Sequence, residues 1–164
     1  MEIRVATIEE LEKWWDGEIL KYPYNDAYKV WKEEFVTANK NGLRKTFFCL
    51  ENNQYIGQGT LVLKNADPVM TGEGKAEIGK LEIIPEFRGK GIATKIYEGI
   101  AKFAKENGIR TLTIGVEPCE VHNMQVYFHW GFTNFLQVVT ETYPPEKPGV
   151  DGETITVLCY SKII

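Results

Sequence analysis

The segment Ile83–Thr94 has the sequence IIPEFRGKGIAT, and it decides how the rest of the chain is interpreted. A β-branched run ends at Pro85, basic residues alternate with glycines over 88–91, and apolar residues at helical spacing begin at Ile92. This order predicts a strand, a basic turn and the first turn of a helix. Because that first turn leaves backbone N–H groups unpaired and carries a partial positive charge, the segment predicts a binding site for an anion.

Two familiar nucleotide-binding sequences do not fit this segment. It contains no GxxxxGK[ST], and Thr94 stands where the third glycine of GxGxxG would follow Gly89 and Gly91. A surface turn with two solvated charges, Arg88 and Lys90, is the alternative that the local pattern leaves open.

Hydrophobic periodicity on either side of the segment predicts a mixed α/β order, β-α-α-β-β-β-α-β-α-β-β. Predicted strands lie at 3–6, 45–51, 55–63, 76–84, 111–116, 135–142 and 154–160. Predicted helices begin near residues 8, 26, 91 and 121. We expect residues 1–164 to form a single domain.

Local signals support several of these boundaries. Thr7 and Glu10 have the spacing of a capping box, and Asp26 is a candidate cap for the second helix. The pair Asn52-Asn53 predicts a tight turn between two strands, and residues 144–152 predict a Pro/Gly loop.

Composition and charge exclude several classes of protein. The 164 residues are 43% hydrophobic and 26% charged, which is typical of a folded globular chain. No apolar run approaches the roughly 20 residues that span a bilayer, and Met1–Val5 lacks the basic and apolar regions of a signal peptide. Three cysteines without a CxxC pair (Cys49, Cys119 and Cys159) predict reduced thiols in a cytoplasmic protein.

The net charge of −4 argues against sequence-independent nucleic-acid binding, which depends on phosphate neutralisation. Residues 80–110 nevertheless hold seven basic residues against four acidic ones, whereas residues 111–164 hold two against six. A basic segment within an acidic chain suits a compact polyanion, with a cationic partner bound elsewhere.

Two ordered motifs resemble the GNAT acetyltransferase superfamily. The run Arg88–Ala93 matches that family's R/Q-x-x-G-x-G/A loop, and Leu81–Phe87 is similar to the strand that leads into it. Tyr127–Phe132 resembles the Tyr-x-x-x-Gly-Phe signature that follows the fifth strand of the family.

The resemblance implies a largely antiparallel mixed sheet of six to seven strands, flanked by about four helices. It also implies acetyl-CoA as the donor, a primary amine of a small molecule or peptide as the acceptor, and no metal. The cofactor-binding positions that it implies are Ile83, Ile84, Arg88, Gly89, Lys90, Gly91, Ile92, Ala93 and Thr94.

The resemblance implies that Tyr127 is the general acid facing the CoA sulfur; without it, Tyr127 would be interpreted as a core tyrosine. A base must also deprotonate the amine, whose ammonium form dominates at pH 7. Glu77 is our first candidate and Glu82 our second, ahead of Glu117. On a regular strand Glu77 and Glu82 face opposite sides unless a bulge intervenes.

One position departs from the family. Many members have an asparagine seven residues before the tyrosine, where this chain has Glu120. Either Asn123 substitutes for that cofactor contact or the contact is absent. His122 and His129 share a helix face but lack further ligands at metal-binding spacing.

The acceptor is the least determined feature. Aromatic residues of the first two helices, Trp14, Trp15 and Trp31 among them, are interspersed with carboxylates, which suits a cation; the alternative for Trp14 and Trp15 is a core role. A non-catalytic acyl-CoA-binding module is the second functional class. We expect no nucleic-acid or membrane partner, and whether the chain forms a homodimer is left open.

Overall fold

The computed structural model describes residues 1–143 and 151–164, so most of the predicted loop at 144–152 lies outside the described residues. Its strands are β1 Glu2–Val5, β2 Arg44–Glu51, β3 Gln54–Val62, β4 Lys75–Ile83, β5 Thr111–Val116, β6 Asn134–Thr142 and β7 Thr154–Ile163. Its α-helices are α1 Ile8–Lys21, α2 Ala27–Lys40, α3 Ile92–Glu106 and α4 Val121–His129. A short 3₁₀ turn, Pro85–Phe87, joins β4 to the loop before α3.

The seven strands form one sheet in the order β1-β2-β3-β4-β5-β7-β6. All neighbouring strands are antiparallel except β4 and β5, which run parallel. Their pairing ends at Ile78 opposite Ile114, although β4 continues to Ile83. The predicted mixed and largely antiparallel α/β fold is therefore confirmed, and the sheet opens between β4 and β5.

A β-bulge interrupts the C-terminal half of β4, between Gly79 and Glu82. Gln58 lies opposite Glu82 and Thr60 lies opposite Gly79, so three steps along β4 face two steps along β3. Lys80, inside the bulge, has a positive φ of 43°. The extra residue changes which way the following side chains point, and Glu77 and Glu82 consequently share one face of the sheet.

The sheet lies between two helical layers. Phe47 packs in the cluster that includes Ile96 and Ile100 of α3, whereas the next residue, Phe48, packs with Trp15 of α1 and Phe35 of α2. Because successive strand residues point to opposite faces, α3 and the α1–α2 pair cover opposite sides of the sheet.

Most local signals in the sequence are confirmed. Thr7 and Glu10 form the expected reciprocal capping box at the start of α1. Asn52 and Asn53 both have positive φ, as a tight hairpin turn requires.

The prediction that Asp26 caps α2 is wrong. Asp26 has helical backbone angles and pairs with Lys29, while Oδ1 of Asn25 accepts from the N–H of Ala27. In the described residues, no helix is both long enough and apolar enough to cross a membrane.

Candidate active site

The loop before α3 exposes a series of backbone donors. Gly89 and Gly91 have φ of +74° and +73°, so the chain turns through the left-handed region twice within three residues. Within the described residues, the N–H groups of 89–94 have no hydrogen-bond acceptor, and no side chain caps α3. Free N–H groups at the positive end of a helix fit an anion such as a pyrophosphate.

This loop forms one wall of a cleft of about 590 Å³, the loop cleft. The predicted cofactor positions Ile83, Arg88, Gly89, Gly91, Ile92, Ala93 and Thr94 line it. The opposite wall is the inner side of α4, with Asn123, Val126, Tyr127 and Trp130. The cleft therefore occupies the opening between β4 and β5.

The backbone of Ile83 points into this opening. Ile83 lies opposite Gly57, and the following residue, Ile84, donates to the carbonyl of Ile56. In such an antiparallel pair, the N–H and C=O of Ile83 are directed away from β3 and toward the β5 side. The side chain of Ile84 faces a different pocket, beside α1.

The two basic residues of the loop make local contacts. Arg88 Nε donates to the carbonyl oxygen of Ile83 over 3.0 Å. The Lys90 ammonium lies 4.8 Å from the centre of the Phe87 ring. Arg88 lines the loop cleft, whereas Lys90 does not, so only Arg88 brings its charge to the cleft that the free N–H groups face.

Tyr127 is held at the last turn of α4 by the backbone of its signature. Gly131 has φ +96°, Phe132 N–H donates to the Tyr127 carbonyl, and Gly131 N–H donates to the Phe128 carbonyl. These two bonds form a Schellman motif, for which glycine is the favoured residue. Phe132 is fully buried, so the Gly-Phe pair both ends the helix and anchors it.

A second cavity, of about 230 Å³, meets the loop cleft at Leu81, Glu120 and Tyr127. We call it the acidic pocket because four carboxylates, those of Glu77, Glu117, Glu120 and Glu141, outnumber the cation of Lys80 on the same lining. Among the described residues, none of the four forms an ion pair. Burial raises the pKa of Tyr127, which lines both cavities, to about 12, with Glu120 adding to the effect. Its hydroxyl therefore carries a proton at neutral pH.

Glu77 has the chemistry of a base near neutral pH. Burial raises the pKa of Glu77 to about 7, and the neighbouring carboxylates of Glu141 and Asp67 also raise it. Arg44 and a 2.8 Å hydrogen bond from Asn65 Nδ2 act in the opposite direction. A carboxyl with a pKa near 7 can accept a proton at neutral pH and release it again.

Glu82 lies on the same face as Glu77 but in different surroundings. Its Oε2 accepts from Gln58 Nε2 over 3.1 Å and lies 4.0 Å from the Lys80 ammonium. Glu82 lines the loop cleft and the pocket beside α1, but not the acidic pocket. Glu117 lines the acidic pocket at the end of β5.

Asn123 and Glu120 meet on the wall of the loop cleft, where Asn123 Nδ2 donates to Glu120 Oε1 over 2.8 Å. Asn123 is thus brought to the cleft, with its amide engaged by the residue that replaces the family's asparagine. The described residues contain no group of three or more candidate metal ligands.

The tryptophans of α1 separate into two roles. Trp15 is buried in the core against Phe35, as the core alternative predicts. Trp14 lines the pocket beside α1, and the Lys80 ammonium lies 4.6 Å from its ring centre.

Sequence reasoning missed the residues that give Glu77 its environment. Asp67 lies in a loop, Glu141 lies on β6, and Tyr143 donates from its hydroxyl to Glu141. The excess of acidic residues over 111–164 was the signal that could have pointed to Glu141, but their convergence depends on the β5-β7-β6 order.

Comparisons with known proteins identify a family and a shared fold. A family model described as the acetyltransferase (GNAT) family matches residues 6–132. No curated protein matches the chain.

Several solved structures share the fold. They include a ribosomal-protein-alanine N-acetyltransferase from Brucella melitensis (16% identity, TM-score 0.68, all of both chains covered). A ribosomal-protein-S18-alanine N-acetyltransferase from Escherichia coli has 15% identity and a TM-score of 0.71, with 99% of this chain and 93% of that chain covered. A predicted acetyltransferase from Clostridium acetobutylicum, solved with acetyl-CoA, has 22% identity and a TM-score of 0.62, with 81% and 90% covered.

Proposed function

We propose that this chain, which belongs to the GNAT acetyltransferase family, moves the acetyl group of acetyl-CoA directly to a primary amine of a small molecule or peptide. Residues 1–164 would act as a single catalytic domain. The observation that carries the proposal is the meeting of the loop cleft and the acidic pocket at Tyr127. One cavity suits a phosphorylated donor, the other suits a cationic acceptor, and a protonated hydroxyl stands between them.

The loop cleft supports acetyl-CoA as the donor. The free N–H groups of 89–94 would hold the pyrophosphate, with Arg88 adding charge. The backbone of Ile83 would pair with the amides of the pantetheine arm, as an added strand does. When bound, acetyl-CoA supplies an activated thioester. Asn123 would contact the donor after exchanging its hydrogen bond to Glu120.

Glu77 is the proposed base. A lysine-like amine with a pKa of about 10.4 is almost wholly protonated at pH 7, so attack requires removal of a proton. Glu77 lines the acidic pocket, and its pKa of about 7 places its carboxylate form in the working range. Glu82 is the second candidate, because it lines the loop cleft from the same face of β4.

Tyr127 is the proposed acid. Its side chain lines both cavities, and its pKa of about 12 keeps the hydroxyl protonated at neutral pH. The hydroxyl would give its proton to the sulfur as negative charge develops there when the C–S bond breaks. Because an ordinary thiol, with a pKa of about 8.5, is the stronger acid, the tyrosinate would then take a proton back from solvent.

The acidic pocket supports a cationic acceptor. Four carboxylates without ion pairs among the described residues favour an amine that carries a second positive charge over a neutral or anionic one. Its volume of about 230 Å³, roughly that of seven or eight water molecules, suits a small diamine or the end of a basic peptide.

One observation favours a non-catalytic acyl-CoA-binding module instead. The Glu120 carboxylate lies on the loop cleft, where many family members have a neutral asparagine. A screen of amines with acetyl-CoA, reading both free thiol and acetylated amine, decides between the two functions. Turnover with any amine excludes the pure binding module, whereas acetyl-CoA binding without turnover excludes the proposed transfer.

A further inference from the structure

Helix α4 carries Tyr127 and contacts the core through Val126 and Tyr127, which are only partly buried. None of the side chains from Val121 to His129 is fully buried. The buried residues begin directly after the helix, with Trp130 at 5% and Phe132 at 0% exposure. Contacts made just beyond the end of the helix therefore add to those of Tyr127 itself in fixing its position.

Trp130 connects that end to the loop cleft. Its indole Nε1 donates to the Thr94 hydroxyl over 3.3 Å, and Thr94 lies in the first turn of α3. Its ring stacks on Tyr97 of α3 with centres 4.5 Å apart and planes 5° apart. The same ring lies 5.6 Å from that of Tyr127.

Lys162 of β7 adds two hydrogen bonds to this set of contacts. Its ammonium donates to the Trp130 carbonyl over 2.6 Å and to the Tyr97 hydroxyl over 2.8 Å. A cation at the C-terminal end of a helix also interacts favourably with the helix dipole. Lys162 lines neither the loop cleft nor the acidic pocket. We call Thr94, Tyr97, Trp130 and Lys162 the α3–α4 clasp.

We infer that Trp130 and Lys162 are positioning residues, and that the α3–α4 clasp holds Tyr127 at a fixed place relative to the donor-binding turn of α3. The inference rests on the proposed acetyl transfer. Thr94 of α3 and Tyr127 of α4 both line the loop cleft, next to this junction. Loosening the clasp should therefore impair the chemical step while the backbone groups that bind the donor remain in place.

The cleanest test replaces Lys162, since it touches neither cavity. Lys162→Met keeps most of the aliphatic stem and removes both hydrogen bonds, and Lys162→Arg is the conservative control. We expect Lys162→Met to lower kcat at least about three- to tenfold, since each of the two hydrogen bonds that it removes contributes roughly that factor. The Kd for acetyl-CoA by calorimetry should stay within twofold of wild type, and Lys162→Arg should restore most of kcat.

A second pair of variants tests the clasp from α3. Thr94→Val removes the acceptor of the Trp130 indole, and Thr94→Ser keeps it. We expect the valine variant to lower kcat by a similar factor and the serine variant, which keeps the acceptor, to lose less of kcat than the valine variant does. Combined with Trp130→Phe, Thr94→Val should cost nothing further, because both changes remove the same bond.

Hydrogen exchange provides a measurement that needs no turnover. Amides over 121–132 should exchange about three- to tenfold faster in Lys162→Met and Thr94→Val, but not in the arginine and serine controls. If both test variants show the hydrogen-exchange rates and the kcat of wild type, the clasp is overturned. It is also overturned if their affinity for acetyl-CoA falls by the same factor as kcat. If the wild type acetylates no amine, the proposed function fails, and the exchange rates alone decide whether the clasp exists.

Discussion

The side-chain amide of Asn65 donates a 2.8 Å hydrogen bond to Oε2 of Glu77. This bond favours the ionised carboxylate, but burial and the nearby carboxylates of Glu141 and Asp67 favour the protonated form more strongly. The balance leaves the pKa of Glu77 at about 7, well above the ordinary value of 4.5. A group placed in this way changes protonation within the pH range in which an amine acetyltransferase would work.

Glu77→Gln should remove a pH-dependent limb from the rate profile. If Glu77 must be ionised to act, wild-type kcat/KM rises with pH through about 7 and levels above it. The glutamine variant should lack that limb and lose about two orders of magnitude at neutral pH. Its activity should partly recover toward pH 10, where free amine is abundant.

Glu117→Gln is the matched control, because it removes a carboxylate from the same pocket without removing the base. It should keep the limb near pH 7. If Glu82→Gln loses the limb instead, Glu82 is the base. Wild-type profiles in both Glu77→Gln and Glu82→Gln would assign deprotonation to water or to the amine's own equilibrium.

Tyr127→Phe should separate catalysis from binding. The ring packs near Trp130 and against the core, so removal of the hydroxyl leaves the packing in place. We expect kcat to fall by about 10²- to 10⁴-fold, with the Kd for acetyl-CoA little changed. A variant within twofold of wild-type kcat would make Tyr127 a core residue.

Gly91→Val should abolish acetyl-CoA binding while the fold persists. No atom lies within 4 Å of an added Cβ at this position, so the reason is the backbone, whose φ of +73° a β-branched residue avoids. Relaxing that strain would reorient the N–H groups of the loop. Calorimetry with acetyl-CoA and circular dichroism measure the two effects.

Gly108→Val is the control for strain alone. Gly108 follows the other end of α3, has φ +77°, and is equally open to a Cβ. It should reduce stability in a similar way but leave the affinity for acetyl-CoA unchanged. Equal affinity of wild type and Gly91→Val would contradict the proposed pyrophosphate site.

Removing two carboxylates of the acidic pocket should affect doubly charged acceptors most. For Glu117→Gln/Glu120→Gln, we expect kcat/KM for a linear diamine to fall about tenfold. The value for a monoamine of equal length should fall less than threefold. These losses are modest because each exposed charge pair contributes little. The double variant Glu73→Gln/Glu106→Gln changes net charge equally at exposed sites outside the pocket. Equal losses for both amines would show that the pocket does not select for charge.

The sequence predicted every β-strand and α-helix of the described residues because each carries a local hydrophobic pattern. The bounds of β5 agree at both ends, and α3 begins one residue after the predicted start at Gly91. The exception at Asp26 is instructive, because two adjacent capping residues compete there and the side chain of Asn25 makes the bond. A local pattern cannot rank two such neighbours.

The site was less predictable, because its chemistry depends on contacts between distant parts of the chain. The bulge in β4 places a lysine, Lys80, at positive φ, which no propensity favours. This bulge alone brings Glu77 and Glu82 to the same face of the sheet. The pKa of Glu77 depends on Asp67 and Glu141, which meet it only once the loop after β3 and strand β6 are in place.

A single-turnover reaction followed by mass spectrometry tests the central claim most directly. Wild-type protein with acetyl-CoA and a small diamine should form one acetylated amine for each free thiol, and Tyr127→Phe should form both products far more slowly at equal donor occupancy. Two results would contradict the proposal that acetyl-CoA in the loop cleft passes its acetyl group to an amine in the acidic pocket beside Tyr127. One is thiol release without acetylated amine, and the other is saturating acetyl-CoA binding with neither product for any amine tried.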